Sequence, residues 1–318
     1  MSTRPASGRA RGSLPRVVAD ALGRVCALIE RDATGWTVGG LPAGASAGPL
    51  AEALYACWYT QPAEPPLPAA GDPPLHRRSL QSALRAAHAR AGVTAQGWTV
   101  TASDPHGVVV AVSEAEQSIL RPGEYAMPLR PGVPPAPGEP VEPIARLDHV
   151  DAERGLWWAF TNPAPEPPTG RVYLNARPAT APRAVHEVTA ALAPFPYQLK
   201  CPLQALGCER VDAVVLYHAR SIRDDVLRAI AARWTELGPL LDPEVPPLTC
   251  PLEPGLAWAD DQGDSRSYGE SRCQALAAAV DRSGASWAVS GSAERLAVLV
   301  EGLRAAGVDP ERPWQVAP

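Results

Sequence analysis

The sequence predicts an α+β protein: a mostly helical N-terminal part, then a mixed domain around a twisted, largely antiparallel sheet. Three observations carry this. Apolar residues recur at helical spacing in the first 127 residues, a proline-rich stretch at 128–143 breaks the chain, and strand-like and helix-like segments then mix without the strict alternation of a parallel fold. The chain thus divides into 1–127, 128–143 and 144–318. At 318 residues it has length for roughly two domains, each with its own core.

The elements follow in order. Leu14, Val17, Val18, Ala21, Leu22, Val25, Leu28 and Ile29 fall on one face of a helix over 14–33. Further helices are expected over 48–59 and 77–91, separated by an exposed proline-rich loop at 61–75. Strands at 97–102 and 107–112 flank Asp104-Pro105-His106-Gly107, whose residues favour a turn, so a hairpin is expected. Pro128 to Pro143, punctuated by Gly132 and Gly138, reads as a stiff connector. Beyond it, strands are expected at 156–161, 171–176, 196–201 and 211–218, and helices at 180–192, 221–236, 268–281 and 292–306.

Composition narrows the function. A net charge of -5 provides no general basic field, which argues against nucleic acid as a partner. No uninterrupted apolar run is long enough to span a bilayer, and Arg16, Asp20 and Arg24 interrupt the N-terminal one, so neither membrane insertion nor a signal-peptide core is expected. Cys26, Cys57, Cys201, Cys208, Cys250 and Cys273 form no CxxC pair and read as small buried hydrophobes in a reduced cytoplasm. His186-Glu187 lacks the second histidine one turn on that a zinc-protease helix requires, so no metal site is expected.

Against 28 arginines, Lys200 is the only lysine. An amine can lose its proton and act as a base, whereas a guanidinium stays charged. Strand alternation puts Tyr197 and Leu199 on one face, and Gln198 and Lys200 on the other. The same period groups Arg171, Tyr173 and Asn175, leaving Val172 and Leu174 for the core. If the two strands share a sheet, one face offers an anion site beside a proton acceptor; the plainer alternative is a polar face open to water. In the next strand Arg210 and Asp212 can pair on one face, with Tyr217 on the other parity at the strand end, where it can reach around an edge.

Ser265-Arg266-Ser267-Tyr268-Gly269-Glu270-Ser271-Arg272 marks a helix start. Arg266, Arg272 and free backbone N–H groups there can receive phosphate, or the serine can simply cap the helix beside solvated arginines. Asp260, Asp261 and Asp264 are candidates to neutralise Arg266.

The ordered motifs Gly155-Leu156-Trp157-Trp158-Ala159-Phe160, Arg171-Val172-Tyr173-Leu174-Asn175, Tyr197-Gln198-Leu199-Lys200 and Arg210-Val211-Asp212-Ala213-Val214-Val215-Leu216-Tyr217 resemble the HopA-type bacterial effector domain. The resemblance continues through Pro247-Leu248-Thr249, Pro254-Gly255-Leu256-Ala257-Trp258-Ala259 and Ser267-Tyr268-Gly269-Glu270-Ser271-Arg272-Cys273, so 144–318 is the expected catalytic domain. Leu54-Tyr55-Ala56-Cys57-Trp58-Tyr59 and Arg121-Pro122-Gly123-Glu124-Tyr125 resemble the looser N-terminal part of these proteins, expected to be accessory or to recognise peptide.

Stand-alone members of this family occur with lanthipeptide and thioamide-peptide pathways, where they are linked to eliminating phosphate from phosphoserine or phosphothreonine. The resemblance implies a phosphopeptide lyase without a cofactor, acting on a phosphorylated precursor peptide supplied by a separate Ser/Thr kinase. By that likeness Lys200 is the base, and Arg171, Arg210 and Arg272 bind phosphate. Tyr217 falls on a site tyrosine of the family, and Asn175 from the strand face and Arg266 from the helix start join the expected substrate site. Tyr173 stands where related phosphothreonine lyases carry a histidine acid, and is the expected proton donor.

Lys200 lies in neither a P-loop nor a kinase motif, which argues against nucleotide-dependent phosphorylation by this chain. Without a cofactor motif around it, a pyridoxal-phosphate Schiff base is also disfavoured. The main rival is a non-catalytic adaptor that binds a leader peptide or phosphopeptide for other enzymes.

Overall fold

A computed structural model describes residues 14–63, 77–89, 92–122, 124–127, 134–161, 169–204, 209–261 and 266–316. Most of the expected proline-rich loop, and 128–133 of the expected connector, lie outside these residues. Helices and antiparallel sheets combine in an α+β fold.

Helix α1 (Arg16–Leu28) buries Val18, Ala21, Leu22, Val25 and Cys26 on one face, but ends earlier than the apolar spacing predicts. Ile29 turns extended and starts β1 (Ile29–Arg31), which pairs with β2 (Trp36–Val38); β3 (Leu41–Pro42) completes a small antiparallel sheet. Helix α2 (Ala47–Leu54) continues as a π-turn, Tyr55–Tyr59. Helix α3 (Arg77–Ala87) follows.

The expected hairpin belongs to a larger sheet. Strands β4 (Gly92–Thr94), β5 (Trp98–Ser103), β6 (Val109–Val112), β7 (Gln117–Leu120) and β9 (Pro140–Arg146) lie in the order β4-β9-β5-β6-β7, with β8 (Tyr125–Ala126) paired to β9. Strand β9 takes in the last residues of the expected connector: Pro140 and Pro143 do not prevent pairing, because the strand's remaining amides and carbonyls still reach β4, β5 and β8. Trp98, Val100, Val109, Ala111, Leu120 and Val141 give this sheet its own small core.

The central sheet has seven antiparallel strands in the order β10-β11-β13-β14-β12-β16-β15. They are β10 (Asp148–Asp151), β11 (Leu156–Phe160), β12 (Gly170–Leu174), β13 (Gln198–Pro202), β14 (Val214–His218), β15 (Cys250–Glu253) and β16 (Leu256–Asp260). Helices α4 (Ala181–Ala191), α5 (Arg223–Ala231) and α6 (Trp234–Leu237) intervene; α7 (Tyr268–Ser283), α8 (Ser286–Val289) and α9 (Ser292–Ala305) follow.

The sheet is covered on both faces. Val172, Leu174, Leu199, Cys201, Val214 and Leu216 share one core with α3, α4 and α5. Tyr173, Val215, Tyr217 and Ala259 share another with α1, α2, α7 and α9. Every residue of β12, β14 and β16 is consequently buried, which is why β14 and β16 read as near-continuous apolar runs, whereas β12 buries Arg171 as well.

Candidate functional site

Antiparallel register assembles the site on the face toward α2 and α7. One row across the sheet runs His149, Trp158, Lys200, Val215, Tyr173, Ala257. The adjacent row runs Phe160, Gln198, Tyr217, Arg171, Ala259. Lys200, Arg171 and Tyr173 therefore share a face, but one packed beneath helices rather than open to water.

Tyr217 sits at the centre. Its ring centre is 5.7 Å from Lys200 Nζ, 5.2 Å from Arg171 Cζ, and 5.9 Å from the stacked Trp158 ring. Tyr217 lies near the end of β14, as expected, but has no sheet edge to reach around, because β14 lies between β13 and β12. Lys200 is half-buried.

Arg171 is positioned by Asp261, which follows β16: its Nε donates to Oδ2 at 2.7 Å and its Nη2 to the same oxygen. Burial opposes the charge of Arg171, but nearby Tyr173, Tyr217 and Asp261 outweigh it and hold the guanidinium protonated. Asp261 thus neutralises Arg171, while Asp260 lies against Arg220 and Arg223.

Tyr173 is 2% exposed, and its hydroxyl makes no hydrogen bond of normal geometry among the described residues. Burial pushes its pKa far above the ordinary tyrosine range, against the opposing influence of Arg171 and the Tyr59 hydroxyl. Its ring lies 6.4 Å from that of Tyr268, itself 6.5 Å from Tyr59. The Tyr268 hydroxyl reaches the carbonyls of Leu248 (2.5 Å) and Pro313 (3.0 Å), and burial pushes its pKa up to about 12. Leu248 itself adopts φ 64°, an unusual conformation for a residue with a Cβ.

Arg210 lies in the turn before β14 rather than within the strand. Asp212 accepts from its Nε and Nη2, both at 2.8 Å, and the Tyr55 hydroxyl is 2.9 Å from Nη2. The expected Arg210–Asp212 pair thus forms as part of a turn. Asn175 is committed to the scaffold, its side-chain amide donating to the Glu244 carbonyl at 3.0 Å.

At α7 the serine is a cap. Ser267 Oγ accepts from the Glu270 amide at 3.3 Å and the Glu270 carboxylate accepts from the Ser267 amide at 2.7 Å, a complete capping box. Arg266 is exposed outside the helix. Arg272 is 0% exposed: Nε and Nη2 donate to the Pro313 carbonyl at 3.2 and 2.7 Å, its guanidinium lies 4.3 Å from the centre of the Tyr268 ring, and Nη1 has no partner among the described residues. Sheet and helix thus gather Arg171, Tyr173, Lys200, Tyr217 and Arg272 around one core, with Arg210 at its margin, Asn175 held by Glu244 and Arg266 exposed outside the helix.

Sequence reasoning missed Tyr59 and Asp261 as neighbours of these groups, and Tyr55 as the partner of Arg210. The signal for the tyrosines was the spacing in Tyr55-Ala56-Cys57-Trp58-Tyr59, which also suits an ordinary core helix. Among the described residues no cluster of three His, Cys, Asp or Glu side chains is arranged to hold a metal, and no helix is long and apolar enough to cross a membrane.

Residues 153–315, which contain this whole sheet face from Trp158 onward, match the HopA1 effector protein family. The chain belongs to that family. The HopA1 match spans the central sheet from β11 onward together with α7 and α9, and omits the π-turn. The effector protein from Pseudomonas syringae pv. tomato strain DC3000 has a similar fold, with a TM-score of 0.52 at 14% identity, covering 95% of this chain and 96% of the other. The effector protein from Pseudomonas syringae pv. syringae strain 61 also matches, with a TM-score of 0.46 at 17% identity over 81% of this chain and 86% of that one. No curated protein matches.

Proposed function

We propose that this HopA1-family protein is a phosphopeptide lyase that β-eliminates phosphate from phosphoserine or phosphothreonine in a ribosomally made precursor peptide. The observation that carries the reading is the placement of the chain's only lysine and a buried, aspartate-held arginine on either side of Tyr217. A base and a fixed cation so close together suit a substrate that must lose a proton at Cα and an anion at Cβ.

In this mechanism Lys200 takes the Cα proton. The C–H electron pair becomes the Cα=Cβ double bond and the Cβ–O bond breaks, its electrons leaving with phosphate. Arg171, Arg210 and Arg272 bind the phosphate and offset its growing charge, and Tyr173 gives a proton to the departing oxygen. Tyr173 shares the Lys200 row, with Val215 between them, two strand spacings or about 10 Å apart at the backbone. The products are dehydroalanine or dehydrobutyrine and inorganic phosphate. A separate kinase supplies the substrate, and the protein acts in the cytoplasm.

The test is incubation with a phosphorylated precursor and its pathway partners, followed by mass spectrometry and phosphate assay. Loss of phosphate with formation of a dehydro residue supports the proposal; unchanged phosphopeptide refutes it. The burial of Tyr173, which sets the proposed proton donor back from the surface, favours a second reading, a phosphopeptide-binding adaptor. Lys200→Ala separates the two, since an adaptor keeps its pathway role while a lyase binds phosphopeptide without releasing phosphate.

A further inference from the structure

The N-terminal π-turn reaches Arg210, a proposed phosphate ligand. It continues α2 through Tyr55–Tyr59, and π-turns of this kind recur at functional positions. Four positions apart, Tyr55 and Tyr59 stack with ring centres 5.5 Å apart and planes 11° from parallel. Tyr59 continues inward to Tyr268, whose first-turn neighbour Gly269 leaves room for it: a Cβ there would come within 2.3 Å of the Tyr59 ring. Tyr55 points outward. Its hydroxyl is 2.9 Å from Arg210 Nη2, and the Arg210 guanidinium lies 5.4 Å from the centre of its ring.

Arg210 is thus held from two directions. Asp212 takes one edge of the guanidinium, while Tyr55 shares Nη2 and limits how the plane can rotate. Nη1 makes no hydrogen bond among the described residues, and the side chain is 35% exposed. A guanidinium fixed by a carboxylate on one edge can present the other to an oxyanion with little loss of rotamer freedom.

We propose that Tyr55 is a positioning residue for phosphate binding: it orients Arg210 so that its free N–H edge meets a phosphate oxygen. This rests on the reading of Arg210 as a phosphate ligand. It gives the N-terminal region a part in building the site, beyond any recognition of a leader peptide.

The test is calorimetric titration of inorganic phosphate, the expected reaction product, into the full-length protein and its Tyr55→Phe, Arg210→Gln and double variants. Tyr55→Phe should weaken phosphate binding about five- to tenfold, the upper part of the range for one ordinary net hydrogen bond, and should add no further loss in the Arg210→Gln background. With a phosphothreonine peptide as substrate, the same change should raise KM while kcat stays within about twofold.

Thermal melts exclude misfolding, and Tyr55→Leu, which also removes the ring from Arg210, should weaken phosphate binding further. Phosphate affinity unchanged in Tyr55→Phe overturns the proposal, as does an equal loss in the Arg210→Gln background. A wild-type protein that binds no phosphate overturns both this role and the phosphate role of Arg210. Tyr55-dependent phosphate binding without elimination overturns the lyase reading alone and still supports the positioning role.

Discussion

Arg171 and Asp261 lie 90 positions apart in the chain and meet as an ion pair, their side chains 9% and 10% exposed. The charge that faces Tyr217 is therefore buried with its own counter-ion. Asp261→Asn should leave a buried guanidinium without that counter-ion and destabilise the protein by roughly 3–5 kcal/mol. Urea unfolding measures this, and substituting both partners with apolar residues of similar size should recover much of the loss.

Lys200→Arg keeps a positive charge beside Tyr217 but removes the base. Phosphate release from a phosphopeptide should fall by at least about a hundredfold, the lower range for general-base catalysis, while phosphopeptide affinity is retained. Quantifying released phosphate under single-turnover conditions checks it.

Tyr173→Phe removes a buried hydroxyl that lacks a well-formed hydrogen bond. Its melting temperature should stay level or rise, because an unsatisfied polar group disappears, while kcat should fall by about tenfold or more. Full activity in this variant assigns the proton donation elsewhere.

Gly269 lies in the first turn of α7 against the Tyr59 ring. Gly269→Ala should displace Tyr59 and destabilise the fold by about 1–3 kcal/mol. A denaturation midpoint equal to that of the parent protein is the contrary outcome.

His88 and His218 are 3% and 0% exposed, and burial lowers the pKa of both. As pH falls, the unfolded chain, whose histidines titrate near pH 6.5, takes up protons before the folded protein does. Their contribution to stability is therefore complete above about pH 6.5 and is lost as pH falls through the lower folded-state values. Unfolding free energies measured from about pH 8 down to about pH 5 should decline on the acid side, and His88→Gln should flatten that decline.

Alternation in Arg171-Val172-Tyr173-Leu174 and in Gln198-Leu199-Lys200 placed Lys200, Arg171 and Tyr173 on one face because strand geometry is local. What covers that face is not local. The tyrosines of the π-turn arrive from more than a hundred positions upstream, and Asp261 becomes a partner of Arg171 only once β12 pairs with β16. Strand β16 itself, Leu256-Ala257-Trp258-Ala259-Asp260, carries too little polar alternation to be recognised, since both its faces are buried. Arg210 reads as part of a strand because the apolar run Ala213 to Leu216 extends back past Asp212 to Val211. The Arg210–Asp212 pair instead closes a turn, and β14 begins at Val214.

The core beneath Tyr173 and Tyr217 is assembled from Leu22, Val25, Leu50 and Leu54 of the first two helices together with Leu276, Val280, Leu299 and Leu303 of α7 and α9. Segments near both ends of the chain thus depend on one another to bury their apolar sides. Deleting α1 and α2 would strip solvent protection from the tyrosines and leave a hydrophobic surface prone to aggregation. Amide exchange at β12, β14 and α1 should accordingly report a shared opening reaction, so that the ability to fold and the geometry around Lys200 are inherited together.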